Sequence, residues 1–76
     1  MKYENAWQVQ DEITTAVNAL GWSIWNLRYD QNADVFHLEV ASHLDEEQQE
    51  RLVAHMPLST DYDSEGSHGS RFSLYS

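Results

Sequence analysis

Three sets of side chains in this 76-residue chain have the chemistry to bind or react: an acidic run near the C-terminus, four histidines, and a long stretch of carboxylates without a basic residue. Asp61, Asp63 and Glu65, followed by Gly66, match the start of a calcium loop, which places acids at positions one, three and five and glycine at six. Such a loop needs a bidentate acid at position twelve, and Phe72 stands there. Pro57 and the alternating Phe72-Ser73-Leu74-Tyr75 segment also oppose flanking helices. A solvated acidic hairpin loop without calcium is the expected reading. His37, His43, His55 and His68 include no pair at the i, i+4 spacing of a helical zinc site, and cysteine is absent. No metal and no cofactor are expected.

Catalysis has only common residue types to draw on. His43 near Asp45, and His68 near Ser67 and Ser70, are the kinds of side chain used in nucleophilic catalysis. That chemistry is defined by three-dimensional roles, which adjacency does not supply. There is no glycine-rich phosphate loop. A chain this short also has little material with which to enclose a substrate. The expectation is a protein that binds and does not catalyse.

The carboxylates carry the most information. Thirteen Asp and Glu against four Lys and Arg give a formal charge of −9. This balance excludes a phosphate-gripping footprint and disfavours anionic membranes. Between Arg28 and Arg51 there is no Lys or Arg, while Asp30, Asp34, Glu39, Asp45, Glu46, Glu47 and Glu50 all occur. Asp45, Glu46, Glu47 and Glu50 are expected to form one charged face, with Asp30 and Asp34 joining from a nearby turn. Carboxylates held on a rigid fold can occupy the places where Lys and Arg meet phosphate oxygens. The expected partner is therefore a basic, nucleic-acid-contacting protein such as a nuclease, with no direct binding of nucleic acid. Trp7 and Trp22 lie outside the apolar stripes and are candidate anchors for that contact. The alternative is a small structural or regulatory interaction module whose acidity serves solubility alone. In size and acidity the chain is similar to small phage inhibitors of the anti-CRISPR and anti-restriction kinds, and to acidic immunity proteins and antitoxins. That likeness is compositional, and it implies non-enzymatic occupation of a basic surface, including by nucleic-acid mimicry.

These side chains need elements to hold them. Ala6, Val9, Ile13, Ala16 and Leu20 recur at helical spacing, with an Asn5–Gln8 capping pair in front and Gly21 behind. A competing reading makes residues 3–9 a strand. Residues 22–29 and 35–41 have the aromatic and β-branched character of paired strands, with Trp25, Leu27 and Tyr29 on one face and Phe36, Leu38 and Val40 on one face. An even-length turn then pairs Leu27 with Phe36 and Trp25 with Leu38. Leu44–Met56 reads as a second helix, capped by Asp45 with Gln48 and ended by Pro57. From Leu58 a final hairpin follows, turning over 65–69.

The order α-β-β-α-β-β predicts a single two-layer α+β domain, an antiparallel sheet with both helices on one face. The strand reading of 3–9 would instead give a ferredoxin-like βαββαβ arrangement. Nine aromatic residues separate this chain from a disordered acidic tail. The N-terminal Met-Lys-Tyr-Glu-Asn carries no apolar signal segment and no run is long enough to span a membrane, so the expected compartment is the cytoplasm.

Overall fold

Alternation in two strands sets the architecture. A computed structural model describes residues 5–76. Phe36, Leu38 and Val40 of β2 (Val35–Val40) and Phe72 and Leu74 of β4 (Ser70–Tyr75) are buried, while the residues between them face away. These strands pair antiparallel at the sheet centre, Leu38 opposite Phe72 and Phe36 opposite Leu74. Outside them lie β1 (Ile24–Asp30) and β3 (Ser59–Glu65), giving the order β1-β2-β4-β3. Two helices, α1 (Ala6–Ala19) and α2 (Glu46–His55), complete the α-β-β-α-β-β order. Ile13 and Val17 of α1 and Leu52 of α2 join the buried strand residues in one cluster, so both helices cover the same face of the sheet. The opposite face is uncovered among the described residues.

Helix ends follow local chemistry. Asp45 accepts the Gln48 backbone N–H at 2.8 Å, and the Gln48 side chain accepts the Asp45 N–H at 3.0 Å, a complete capping box. His55 closes α2 by directing Nδ1 to the Arg51 carbonyl at 2.8 Å. At the end of α1, Gly21 adopts φ +92°, and the Gly21 and Trp22 N–H groups reach back to the Asn18 and Val17 carbonyls. Only a residue without Cβ enters that conformation at little cost. The Asn5–Gln8 capping pair is not formed: Asn5 occupies the N-cap position, but its side chain makes no capping bond. Helical residues from Ala6 onward also overturn the strand reading of 3–9, of which residues 3 and 4 lie outside the described residues, and with it the ferredoxin-like alternative.

The first hairpin corrects a register. Its four-residue turn, 31–34, is even as expected, but Leu27 pairs with Leu38 and Tyr29 with Phe36, one side-chain repeat away from the predicted pairing. The turn is held by Asp30, whose Oδ1 accepts the Asn32 and Ala33 N–H groups at 3.0 and 3.2 Å. A bulge then breaks the parity of β1. Ile24 pairs with Val40 and Asn26 with Glu39, leaving Trp25 as the extra residue. Ile24 thereby turns to the core and Trp25, expected inside, is 56% exposed.

Strand β3 also runs further than expected. Asp61, Asp63 and Glu65 sit on it instead of in a loop, and a bulge lies between Tyr62 and Ser64. The connection to β4 is closed by the Gly66 N–H to the Gly69 carbonyl at 2.7 Å. Gly69 passes so close to the chain leaving β2 that a Cβ there would stand 1.9 Å from the Val40 carbonyl oxygen and 2.5 Å from that of Ser42.

Two substitutions probe this packing. Leu38→Ala should cost about 2–5 kcal/mol, against a total of about 4–11 kcal/mol for a domain of this size. Gly69→Ala should also destabilise, because its clash is with backbone that cannot swing aside. Urea unfolding followed by circular dichroism measures both.

Candidate functional site

The two bulges each re-aim one side chain, and together they organise the end of the sheet where β2 leaves for α2. In β3, Thr60 points to the core, and the extra residue Asp63 restores that side to Glu65, opposite Ser70. Glu65 becomes a hub. Its carboxylate accepts the Tyr62 hydroxyl at 2.5 Å and the Ser70 hydroxyl at 2.8 Å, and lies 2.7 Å from His43 Nδ1. Ser70 is fully buried and its Oγ also accepts the Leu44 N–H at 2.9 Å, tying the hub to the start of α2. The Ser, His and acid are therefore all present, but the hydroxyl is aimed at the acid and not at the imidazole. His43 meets Glu65, not Asp45, and His68 meets neither Ser67 nor Ser70.

In β1 the bulge brings Trp25 against His68, rings stacked with centroids 3.6 Å apart and planes 14° from parallel. Glu39 anchors this corner from below. Its side chain is 11% exposed and accepts the His68 N–H at 2.8 Å and Arg71 Nε at 3.0 Å. The His68 N–H holds the Glu39 carboxyl below the ordinary glutamate value of 4.5, against the opposing effect of partial burial, and Arg71 adds to the lowering. Glu65 is lowered as well, first by the Tyr62 hydroxyl and then by His43. The same contacts raise the phenols: Tyr62 through Glu65, and Tyr75 through Asp61, whose Oδ2 accepts its hydroxyl at 2.7 Å.

The expected acidic face divides into two groups. Asp30 holds the turn, Asp34 accepts the Tyr29 hydroxyl at 2.5 Å, and Asp45 caps α2. Glu46, Glu47 and Glu50 are exposed and have no hydrogen bond or ion pair among the described residues. Nor do the two groups meet. The 31–34 turn joins the beginning of β2, whereas α2 starts after its end, and five residue steps separate those ends by about 17 Å. Asp30 and Asp34 thus belong to the far end of the sheet from Asp45, Glu46 and Glu47, which corrects the placement of one continuous face.

The carboxylates divide by their partners. Those of the strands and turns are held: Asp61 by Tyr75, Asp63 by Ser73 at 2.5 Å, Glu39 and Glu65 as above. Without a side-chain partner among the described residues are Asp11 and Glu12 in α1 and Glu46, Glu47 and Glu50 in α2, all exposed. Asp11 and Glu12 escaped the sequence reading, although both fall between the apolar positions of the first helix. Of the two tryptophan anchors, Trp7 is 68% exposed, but Trp22 is half-buried and packs against the core. Trp25 is the exposed tryptophan in its place.

No group of three or more His, Asp or Glu side chains that could hold a metal ion occurs among the described residues. None of their helices is long and apolar enough to cross a membrane. The fold and these surfaces define a two-layer α+β protein with an acidic helical layer. No family model matches the chain, and no curated protein or solved structure matches it.

The lowered carboxyls give a pH dependence with a definite sign. An unfolded chain takes up protons near pH 4.5 that native Glu39 and Glu65 resist, so their contribution is complete above that pH and is lost as pH falls through the native values. Thermal melts between pH 7 and pH 3 should show Tm falling, and Glu39→Gln and Glu65→Gln should each flatten the acid limb.

Proposed function

We propose that the protein is a non-enzymatic cytoplasmic inhibitor whose helical layer binds a basic, nucleic-acid-contacting surface of another protein. The observation that carries this reading is the segregation of carboxylates. The fold uses the acids of its strands and turns in its own hydrogen bonds, and among the described residues it leaves the side chains of five helical acids without partners. Solubility alone does not require that division, since any exposed carboxylate contributes net charge.

The helical layer has features that suit Lys and Arg side chains. Glu46, Glu47 and Glu50 stand on a helix fixed at its start by the capping box and at its middle by Leu52. Along α1, Asp11 and Glu12 border an open hollow whose other walls include Thr15, Ala16 and Ala19. Small residues there admit the aliphatic stem of a long basic side chain, and the acids receive its head. The protein's net charge of −9 draws a basic partner from a distance. By this reading the inhibitor displaces nucleic acid from its target without touching nucleic acid itself.

The experiment compares wild-type protein with Glu46→Gln/Glu47→Gln/Glu50→Gln in affinity capture from host lysate at low and high salt. The wild type should retain a basic nucleic-acid-binding protein at low salt. The triple variant should associate more slowly with it, on the order of tenfold. Neutralising Glu46 and Glu47 also weakens their interaction with the α2 dipole, by about 0.3–1 kcal/mol each, so Tm is followed in parallel. Capture of the same partner at equal rate by the variant would reject the α2 face as the contact.

A further inference from the structure

We propose that the uncovered face of the sheet carries a binding site for a small oxyanion, a carboxylate or a phosphate, gripped by Arg28. The site goes beyond the acidic helical layer and lies on the opposite side of the sheet from it. A hollow of about 330 Å³ opens there, walled by Asn26 and Arg28 of β1, His37 and Glu39 of β2, and Arg71 of β4. Its floor is the strand backbone at Leu38 and Phe72, whose side chains point the other way into the core. The volume is that of an ordinary small-molecule pocket.

The hollow is less acidic than the chain as a whole, because Arg28 and Arg71 balance Glu39 and Asp63 in its lining. Arg28 and Arg71 are two of only four Lys and Arg in a protein with thirteen acids, and register brings them to one surface. Arg28 stands opposite His37, and Arg71 opposite Glu39, on adjacent rows of the same face. β2 runs between the two arginines, so about 10 Å of sheet separates their strands, a gap two long guanidinium side chains can close around a shared ligand. Glu39 does not neutralise Arg28, because its carboxylate is already engaged by Arg71 Nε and the His68 N–H. Asp63 sits on the far rim, on β3, and accepts the Ser73 hydroxyl. Three strand spacings, about 14 Å, separate Arg28 on β1 from β3, whereas Arg71 on β4 is the strand neighbour of Asp63.

The Arg28 side chain has no hydrogen-bond or ion-pair partner among the described residues, and it is exposed. Its planar fork presents paired donors that match the two oxygens of a carboxylate or phosphate. Arg71 has committed Nε to Glu39, so its terminal amino groups are the second set of donors. Asn26 and His37 complete a polar wall around them. An oxyanion bound here is gripped by Arg28, with Arg71 two strands away as a second source of donors above the strand floor.

Chemical-shift titration of the ¹⁵N-labelled full chain at constant ionic strength tests the site, with inorganic phosphate and acetate as separate probes. Saturable shifts are expected at residues 26–28, 37–39 and 71–73, with at least one probe, and the probe that saturates identifies the oxyanion class. Arg28→Gln should weaken that binding about tenfold, the loss of one charge-assisted contact. Arg28→Lys, which keeps the charge but not the fork, should fall between them. A spectrum that stays dispersed confirms that each variant is folded. Linear, non-saturating shifts with both probes, or equal affinity in Arg28→Gln, would overturn the proposal. The outcome is independent of the lysate capture, which reads the other face.

Discussion

The parity of the central strand pair is the constraint on which the rest of the structure depends. Phe36, Leu38 and Val40 face the helices with Phe72 and Leu74, and these five include the two largest fully buried side chains of the core. That orientation sends His37, Glu39, Arg71 and Ser73 to the opposite face, since successive strand residues alternate sides. Core and outer surface are therefore one decision. The edge strands can depart from the alternation only by inserting a residue, and both do. The bulge in β1 exchanges Trp25 for Ile24 in the core, and the bulge in β3 delivers Glu65 to the helix side. With no disulfide among its residues, the domain fastens its sheet end through polar contacts, Glu65 with Ser70 and Glu39 with the His68 N–H.

Electrostatics follow the same two-layer division. The helical layer exposes Asp11, Glu12, Glu46, Glu47 and Glu50, with Arg51 as a cation among them. The outer sheet face gathers Arg28 and Arg71 beside the hydrogen-bonded acids Glu39 and Asp63 and the Trp25–His68 stack. Attributing −9 to the molecule as a whole hides this difference. The proposed basic partner is assigned to one layer, and the proposed anion to the other. Screening over about 8 Å at physiological salt keeps the two surfaces largely separate.

Much of the fold was legible because its signals are periodic or local. The stripe from Ala6 to Leu20, the Asp45–Gln48 box and the stop at Pro57 located both helices, and alternation located all four strands. Register was less accessible. An even turn correctly placed apolar residues on a common face, but it did not choose between pairings two residues apart, which the Asp30 turn bonds decide. Bulges leave no mark in the pattern, which points Trp25 inward and Glu65 into a turn, whereas the bulges turn Trp25 outward and keep Glu65 in β3. The candidate site suffered from the same limit. Acids could be counted from sequence, but their partners could not: Asp30, Asp34 and Asp45 are occupied by Asn32, Tyr29 and Gln48, while Glu46, Glu47 and Glu50 remain unpartnered. Distance was hidden as well, since adjacency along the chain conceals that the 31–34 turn and the α2 start occupy opposite ends of β2.

The central claim is that the unpartnered acids of the helical layer recruit a basic protein. The association rate constant with the captured partner, measured by stopped-flow across a range of ionic strength, tests it most directly. A steep fall in association rate with rising salt, and a much shallower dissociation response, is the result this account predicts. An association rate that does not change with salt would contradict it.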